Sequence, residues 1–175
     1  MSESSGEAPG VAAETLNKIL WKIPNVLCLV GSHAGDEWNG MTQSWVTQVS
    51  MEPVLVAIAV DREALTHRLI TESGVFSINL WNRDDTKPFV KFSKPATYHD
   101  GELNGQPVRP GATGAPVFDN AVAYVDCRVW GSTNVGTHTV FYGEVVDAGF
   151  QGAGEEAEVA RMEDTRMKYG GVKRH

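Results

Sequence analysis

Six short runs of apolar, largely β-branched residues constrain the fold of this chain more than any other feature of its sequence. Each run is too short for a free-standing helix and is rich in residues that favour strands. Turn-forming pairs such as Asn-Gly and Asp-Gly lie between them, and the chain contains 18 glycines. This pattern favours an antiparallel sheet curled into a barrel or sandwich, with helices at its rim. The predicted strands are residues 26–30, 46–49, 54–60, 75–80, 121–129 and 139–146.

Helical periodicity is confined to short segments. Apolar residues recur at three- and four-residue spacing between positions 14 and 23, which predicts a helix that Pro24 ends. Shorter helices are predicted over residues 65–73 and around 84–92.

Two later segments are harder to interpret. Residues 104–116 show no periodicity and predict a long connection, which is either a functional arm or lid or a floppy insertion. Residues 155–168 fit a helix by charge and propensity, whereas the alternation at their end fits a strand equally well.

Length and charge limit the function classes. A chain of 175 residues has material for one domain, expected over 14–175, because residues 1–13 offer little to bury and predict a disordered tail. The net charge of −7 argues against nucleic-acid binding and against a polybasic membrane patch. No apolar run approaches the roughly 18 residues of a membrane span. The acidic start is unlike a secretory signal, so a cytoplasmic protein is predicted.

Several kinds of active site find no support in the sequence. The five histidines are dispersed without metal-ligand spacing, and no serine-hydrolase elbow or phosphate-binding glycine signature occurs. Cys28 and Cys127 lie in apolar runs and are expected to be buried, reduced thiols. No metal site is predicted.

Residues 39–53 form the most informative segment. If it is extended, alternate residues place a polar stripe on one face, which suits a flat ligand with many donors and acceptors. The alternative is a half-buried strand whose polar face meets water. The stripe consists of Thr42, Ser44, Val46, Gln48 and Ser50.

A possible anion site follows the apolar run 54–60. Asp61 or Thr66 is expected to cap a helix whose first backbone amides, with His67 and Arg68 nearby, bind a phosphate. A capped surface helix with scattered charges is the alternative. His138 opens a strand-like run, where it serves either a structural or a site role.

Four stretches of the sequence together resemble the flavin reductase-like, FMN-binding split-barrel family, over about residues 16–171. The first is the most specific. The stretches are NGMTQSWVTQVS (39–50) with Pro53, Thr66-His67 with FSINL (76–80), GTHT (136–139) with GEV (143–145), and DTRMKYGG (164–171).

The resemblance implies a mostly β fold, an antiparallel Greek-key split β-barrel with a few flanking helices, working as a homodimer. It implies FMN near the subunit interface, NADH or NADPH as co-substrate, and hydride transfer to FMN. It also implies that reduced flavin is supplied to a partner monooxygenase or another electron acceptor.

Position by position, the resemblance implies contacts with the flavin or nicotinamide. His138 is placed near the flavin or nicotinamide as the catalytic candidate, and Thr66 and His67 are placed at the phosphate. The sequence has Gly-Thr-His where the family commonly has Gly-Asp-His, and Gln43 where a small residue is common. The cofactor-binding candidates are Asn39, Met41, Thr42, Gln43, Ser44, Trp45, Val49, Ser50, Thr66, His67, Lys91, Phe92 and Tyr169.

Three functions are compatible with this pattern. The first is an NAD(P)H-dependent flavin reductase. The second is a flavoredoxin-like protein that retains FMN and transfers electrons, and the third is a non-redox module that binds another small ligand. Neither the preferred nicotinamide nor the electron acceptor follows from the sequence.

Overall fold

The computed structural model describes residues 10–172. Within this range the chain forms three α-helices and eleven strands. The helices are α1 (Ala13–Leu20), α2 (Leu65–Ser73) and α3 (Lys87–Lys91). The strands are β1 (Cys28–Ala34), β2 (Glu37–Gln43), β3 (Val46–Met51), β4 (Val54–Asp61), β5 (Val75–Leu80), β6 (Tyr98–His99), β7 (Glu102–Leu103), β8 (Gln106–Pro110), β9 (Pro116–Phe118), β10 (Ala123–Val135) and β11 (His138–Phe150).

Seven strands form the main antiparallel sheet in the order β2-β1-β5-β10-β11-β4-β3. The strands at its two edges, β2 and β3, are consecutive in the chain and are joined only by Ser44 and Trp45. In a flat sheet, six spacings of about 4.8 Å would separate them by roughly 29 Å, whereas two linking residues span about 11 Å. The sheet must therefore curl until its edges approach each other.

Two apolar cores stabilise this arrangement. One lies among strands of the main sheet and includes Val30, Ile58, Phe76 and Phe141. The other includes Trp81, Phe92 and Phe118 and packs the small sheet β6-β7-β8-β9 against the main one. Each fully buried aromatic or aliphatic side chain contributes about 1.5–3 kcal/mol of transfer free energy.

Buried polar groups also fasten the small sheet. Asn79 Nδ2 donates to the Leu29 carbonyl at 3.1 Å, and Asn79 Oδ1 accepts from the Phe118 amide at 3.0 Å. The Asp126 carboxylate accepts from the amide and hydroxyl of Thr113 at 2.8 and 2.6 Å. These side chains satisfy backbone groups of β1, of β9 and of the turn before β9, where an unpaired buried amide would be costly.

The prediction of a mostly β, antiparallel fold with few helices is confirmed. The seven-stranded ladder is open, because its described pairings include none between β2 and β3. Cys28 and Cys127 are buried free thiols, as predicted. Burial raises the pKa of each thiol to about 12, which leaves both protonated and unreactive.

Several predicted elements are corrected. Residues 104–116 are not a structureless connection, since they contain β8 and the start of β9. The first helix ends at Leu20 and not at position 23, and the third is shortened to α3. Residues 155–168 form neither an α-helix nor a regular strand but single-turn 3₁₀ helices at Gly154–Glu156 and Met162–Asp164 with isolated bridges. Most of the predicted tail lies outside the described residues, and α1 begins at Ala13.

None of the helices between residues 10 and 172 has the length and apolarity that a membrane span requires.

Candidate functional site

The link between β2 and β3 is held by the side chain of Gln43. Its amide nitrogen Nε2 donates to the Ala59 carbonyl on β4 at 2.8 Å. Its Oε1 accepts from the backbone amides of Ser44 and Trp45 at 3.0 and 3.3 Å. The Ala59 amide donates to the Trp45 carbonyl at 3.2 Å. These bonds fix the link beside β4 and position the Trp45 ring.

A cavity of about 300 Å³ opens beside this link, and we call it the tryptophan cavity. The Trp45 and His138 rings meet in it at a centroid distance of 5.0 Å, tilted by 55°. Its volume lies at the lower end of the range for small-molecule sites. Its lining is formed by residues 42–45 of the link region, Asp61 at the end of β4, Thr137 and His138 of the β10–β11 turn, and residues 169–172.

The last described residues, 169–172, form one wall of the tryptophan cavity and are called the strap. Gly170 lies so close to Trp45 that a Cβ there would be 2.9 Å from Cζ2 of the indole. Its φ of +80° is also one that favours glycine. A side chain at this position is therefore excluded by both space and backbone conformation.

Tyr169 brings an unpaired polar group to the strap. Its hydroxyl is buried and has no hydrogen-bond partner within the described part of the chain. Burial also raises the pKa of this phenol, so it stays protonated. A buried hydroxyl without a partner costs about 1–3 kcal/mol.

The turn between β10 and β11 places His138 at the cavity. Gly136 and Thr137 form this two-residue turn, and Gly136 adopts φ of +53°. Arg62 anchors the turn, since its amide donates to the Thr137 carbonyl at 3.1 Å and its guanidinium to the Gly136 carbonyl at 3.2 Å. The Thr137 hydroxyl lies 2.7 Å from His138 Nδ1. The imidazole is thereby oriented with its ring against Trp45.

A second cavity, of about 220 Å³, lies at the start of α2 and is called the helix cavity. Thr66 is buried there, and its hydroxyl accepts from Asn39 Nδ2 at 3.0 Å. Lys94 supplies a positive charge and Glu63 a negative one. The first-turn amides of a helix and their partial positive charge favour an anion at this end.

The two cavities are both lined by residues of β2. Asn39 and Met41 line the helix cavity, and Gln43 lines the tryptophan cavity. Alternate residues of a strand share a face and are spaced about 7 Å apart. An elongated ligand that follows β2 would therefore meet a helix start with Lys94 and Glu63 at one end and the aromatic rings at the other.

His67 points away from the helix cavity. Its Nε2 lies 2.8 Å from the Thr139 hydroxyl, which itself donates to Asn134 Oδ1 at 2.8 Å and so accepts the proton of Nε2. The ring also contacts Phe141 at a centroid distance of 5.3 Å. Desolvation, and secondarily the charge of Arg62, lowers the pKa of His67, while Asp61 opposes this shift.

Across residues 10–172, no three His, Cys, Asp or Glu side chains are grouped as a metal site would require.

Residues 20–171 match the model of the flavin reductase like domain family. The chain belongs to this family. The ferric-chelate reductase (NAD(P)H) of Archaeoglobus fulgidus is 32% identical to this flavin reductase-like chain over 130 residues, which cover 73% of the chain and 77% of the relative. Two curated relatives from Nostoc are much longer, and the chain spans 23% of their length.

Solved structures of the flavin reductase-like family show the same fold. An NADH:FAD oxidoreductase of Streptomyces globisporus, determined in complex with NAD and FAD fragments, superposes with a TM-score of 0.73. The sequences are 26% identical, and the match covers 87% of this chain and 90% of the other.

The structure brings together most of the residues that the flavin reductase-like resemblance singled out. Nine of them line the two cavities: Asn39, Met41, Thr42, Gln43, Ser44, Trp45, Thr66, His138 and Tyr169, and Phe92 also borders the helix cavity. Phe92 is nevertheless fully buried in the apolar core, where it contacts Phe118 edge-on at 5.4 Å.

Other predicted residues lie elsewhere. Val49 and Ser50 line neither cavity and belong to edge strand β3, because the chain turns to the opposite edge of the sheet after Gln43. The expected continuous polar stripe is thus interrupted at Ser44 and Trp45. Lys91 also lines neither cavity, and its carbonyl accepts from Asn104.

The expected helix cap is also corrected. Ala64 is the N-cap of α2, while Asp61 accepts from the Glu63 amide at 2.9 Å and Thr66 is already helical. Sequence reasoning missed Lys94 in the helix cavity and Thr137 and Gly170 in the tryptophan cavity, whereas Ser93 stands in the Lys91-Phe92-Ser93 stretch that matches the family. Lys94 stands only three positions after the predicted Lys91, and the Gly-Thr-His and Tyr-Gly-Gly motifs contained the other signals.

Proposed function

We propose that this protein is an NAD(P)H:flavin oxidoreductase that transfers hydride from NADH or NADPH to FMN. The observation that carries the proposal is the pair of cavities along β2, which offers a helix start with Lys94 at one end and the Trp45 and His138 rings at the other. FMN has the same polarity, with a phosphate at one end and a planar ring at the other. Membership of the flavin reductase-like family supports this assignment.

The helix cavity fits the phosphate end of FMN. Backbone amides of the first turn of α2 would donate to the phosphate, and Lys94 would offset its charge while Glu63 opposes it. Local cations are needed because the chain carries a net charge of −7. Thr66 and Asn39 hold each other in place through their 3.0 Å hydrogen bond.

The tryptophan cavity fits a planar ring. Trp45 and His138 supply flat faces, and the side chain of Ser44 adds a hydroxyl to the lining. Gly170 lets the strap backbone approach the indole, since a Cβ at this position would collide with Trp45. FMN, when bound, supplies the redox chemistry by accepting a hydride. The protein's own residues bind and orient the rings and exclude water from their faces.

We propose further that FMN, not FAD, is the preferred flavin, and that the curled sheet is the Greek-key split barrel of a homodimer. The exposed apolar residues Val49, Met51 and Val54 at the hairpin of β3 and β4 support a subunit interface. Delivery of reduced flavin to a monooxygenase is the corresponding role in the cell, and it is supported by the family resemblance alone.

The test is the visible absorption spectrum of the purified protein titrated with FMN, followed by anaerobic addition of NADH and then NADPH. We expect saturable binding and bleaching of the flavin band at a turnover rate. FAD in a parallel titration measures the flavin preference. Binding without bleaching would indicate an electron carrier reduced by another protein, and absence of binding would contradict the proposal.

The same titration tests the assigned residues. Thr66→Val combined with Ser44→Ala should raise the FMN dissociation constant at least tenfold, or about 1.4 kcal/mol. The matched control is Thr47→Val, because Thr47 lies on exposed β3 outside both cavities. An unchanged dissociation constant in the double variant would show that FMN does not occupy these cavities.

A further inference from the structure

Helix α1 contacts the strap although it contributes no residue to the tryptophan cavity. Asn17, the fifth residue of the helix, accepts a hydrogen bond at its Oδ1 from the Val172 amide at 2.7 Å. Trp21, directly after the helix, donates from Nε1 to the Gly170 carbonyl at 3.4 Å. Lys168 lies over the Trp21 ring at 5.1 Å. Three contacts therefore join α1 and the residue that follows it to the strap and the residue that precedes it.

Close packing on both sides of the strap restricts its position. Gly171 approaches Asn17 so closely that a Cβ would overlap Oδ1, and its φ of +86° is one that favours glycine. On its other side the strap lies against Trp45 through Gly170. The strap is thus fixed between α1 and the indole that lines the cavity.

Helix α1 has no buried residue, so core packing does not account for its position. Most of the stability of a short helix in a protein comes from its tertiary contacts, and an eight-residue helix is not stable alone. The contacts with the strap therefore help to determine the positions of both the helix and the strap.

We propose that Asn17 is a positioning residue for the flavin site. Its Oδ1 holds the strap against Trp45, which sets the wall of the tryptophan cavity and the place of the Tyr169 hydroxyl. The inference rests on the proposed function, because flavin occupancy of this cavity is what makes the position of the strap matter. It assigns a role in ligand binding to a helix outside the cavity.

The test compares two variants of Asn17 in the full-length protein. Asn17→Asp keeps an acceptor for the Val172 amide and should bind FMN within about twofold of wild type. Asn17→Leu has a similar size but no acceptor, and it should raise the FMN dissociation constant about tenfold. Once saturated with FMN, the leucine variant should keep its kcat within about twofold, because the residue touches no reacting group.

Lys18→Leu is the control for a surface change on the same helix, because Lys18 is exposed and pairs with exposed Glu14. Its FMN affinity and midpoint of thermal unfolding should match wild type. The leucine variant at Asn17 should also keep the wild-type unfolding midpoint, since the helix has no buried residue.

The outcomes separate the two proposals. If wild type binds no FMN, the proposed function fails. If wild type binds FMN and Asn17→Leu binds it equally well, only the role of Asn17 is overturned. Equal weakening by Asn17→Asp and Asn17→Leu would also overturn it, because the acceptor would then be irrelevant.

Discussion

At the scale of single residues, His67 shows how a predicted ligand becomes part of the fold. Its hydrogen bond to Thr139 and its contact with Phe141 orient it away from the helix cavity. Its pKa is lowered from 6.5 in the folded protein, so the unfolded chain binds more protons over the interval below pH 6.5. Unfolding free energy should therefore fall as pH is lowered through this interval.

The measurement is urea unfolding of wild type and His67→Gln between about pH 5 and 7. The glutamine variant should lose less stability than wild type as pH falls, because it has no imidazole to protonate. His99→Gln is the control, since the His99 side chain is 84% exposed. Parallel pH profiles for wild type and His67→Gln would contradict this account.

At the scale of elements, the link from β2 to β3 depends on one buried amide side chain. Gln43→Ala would leave the Ala59 carbonyl and two amides of the link without their partner. We expect a loss of about 2–3 kcal/mol in unfolding free energy, measured by urea denaturation. Gln48→Ala on exposed β3 should cost no more than about 0.5 kcal/mol. Equal losses would show that Gln43 does not hold the link.

The link between β2 and β3 is a feature that the sequence did not predict, whereas several neighbouring elements were predicted correctly. Residues 75–80 and 65–73 were predicted with the boundaries observed for β5 and α2, because local periodicity and Gly74 determine them. The break at Ser44 was missed, since alternation continues across it and the reversal depends on Ala59, far along the chain. The Asn17–Val172 contact joins the two ends of the described chain and leaves no local sequence signal.

At the scale of the whole molecule, the proposed homodimer predicts a specific sensitivity. Met51 and Val54 face each other across the β3–β4 hairpin and are 83% and 47% exposed. Replacing both with glutamate would place like charges at the proposed interface and should convert the dimer to a monomer. Light scattering should then give the mass of the 19.0 kDa chain, against twice that mass for wild type.

Val11→Glu is the matched control, because Val11 is exposed but lies before α1, far along the chain from the hairpin. It should leave the dimer intact. A dimeric Met51→Glu/Val54→Glu variant would place the interface on another surface, and a monomeric wild type would contradict the proposed assembly.

The two-residue link also makes chain length itself a constraint. Because Ser44 and Trp45 join opposite edges of a seven-stranded sheet, their number fixes how far the sheet can unroll. Extra residues at the Asp100–Gly101 turn would lengthen only a surface hairpin. Extra residues between Gln43 and Val46 would let the circumference of the sheet relax and carry Trp45 away from His138. Insertions in this fold should therefore be accepted at the small sheet and excluded at the link.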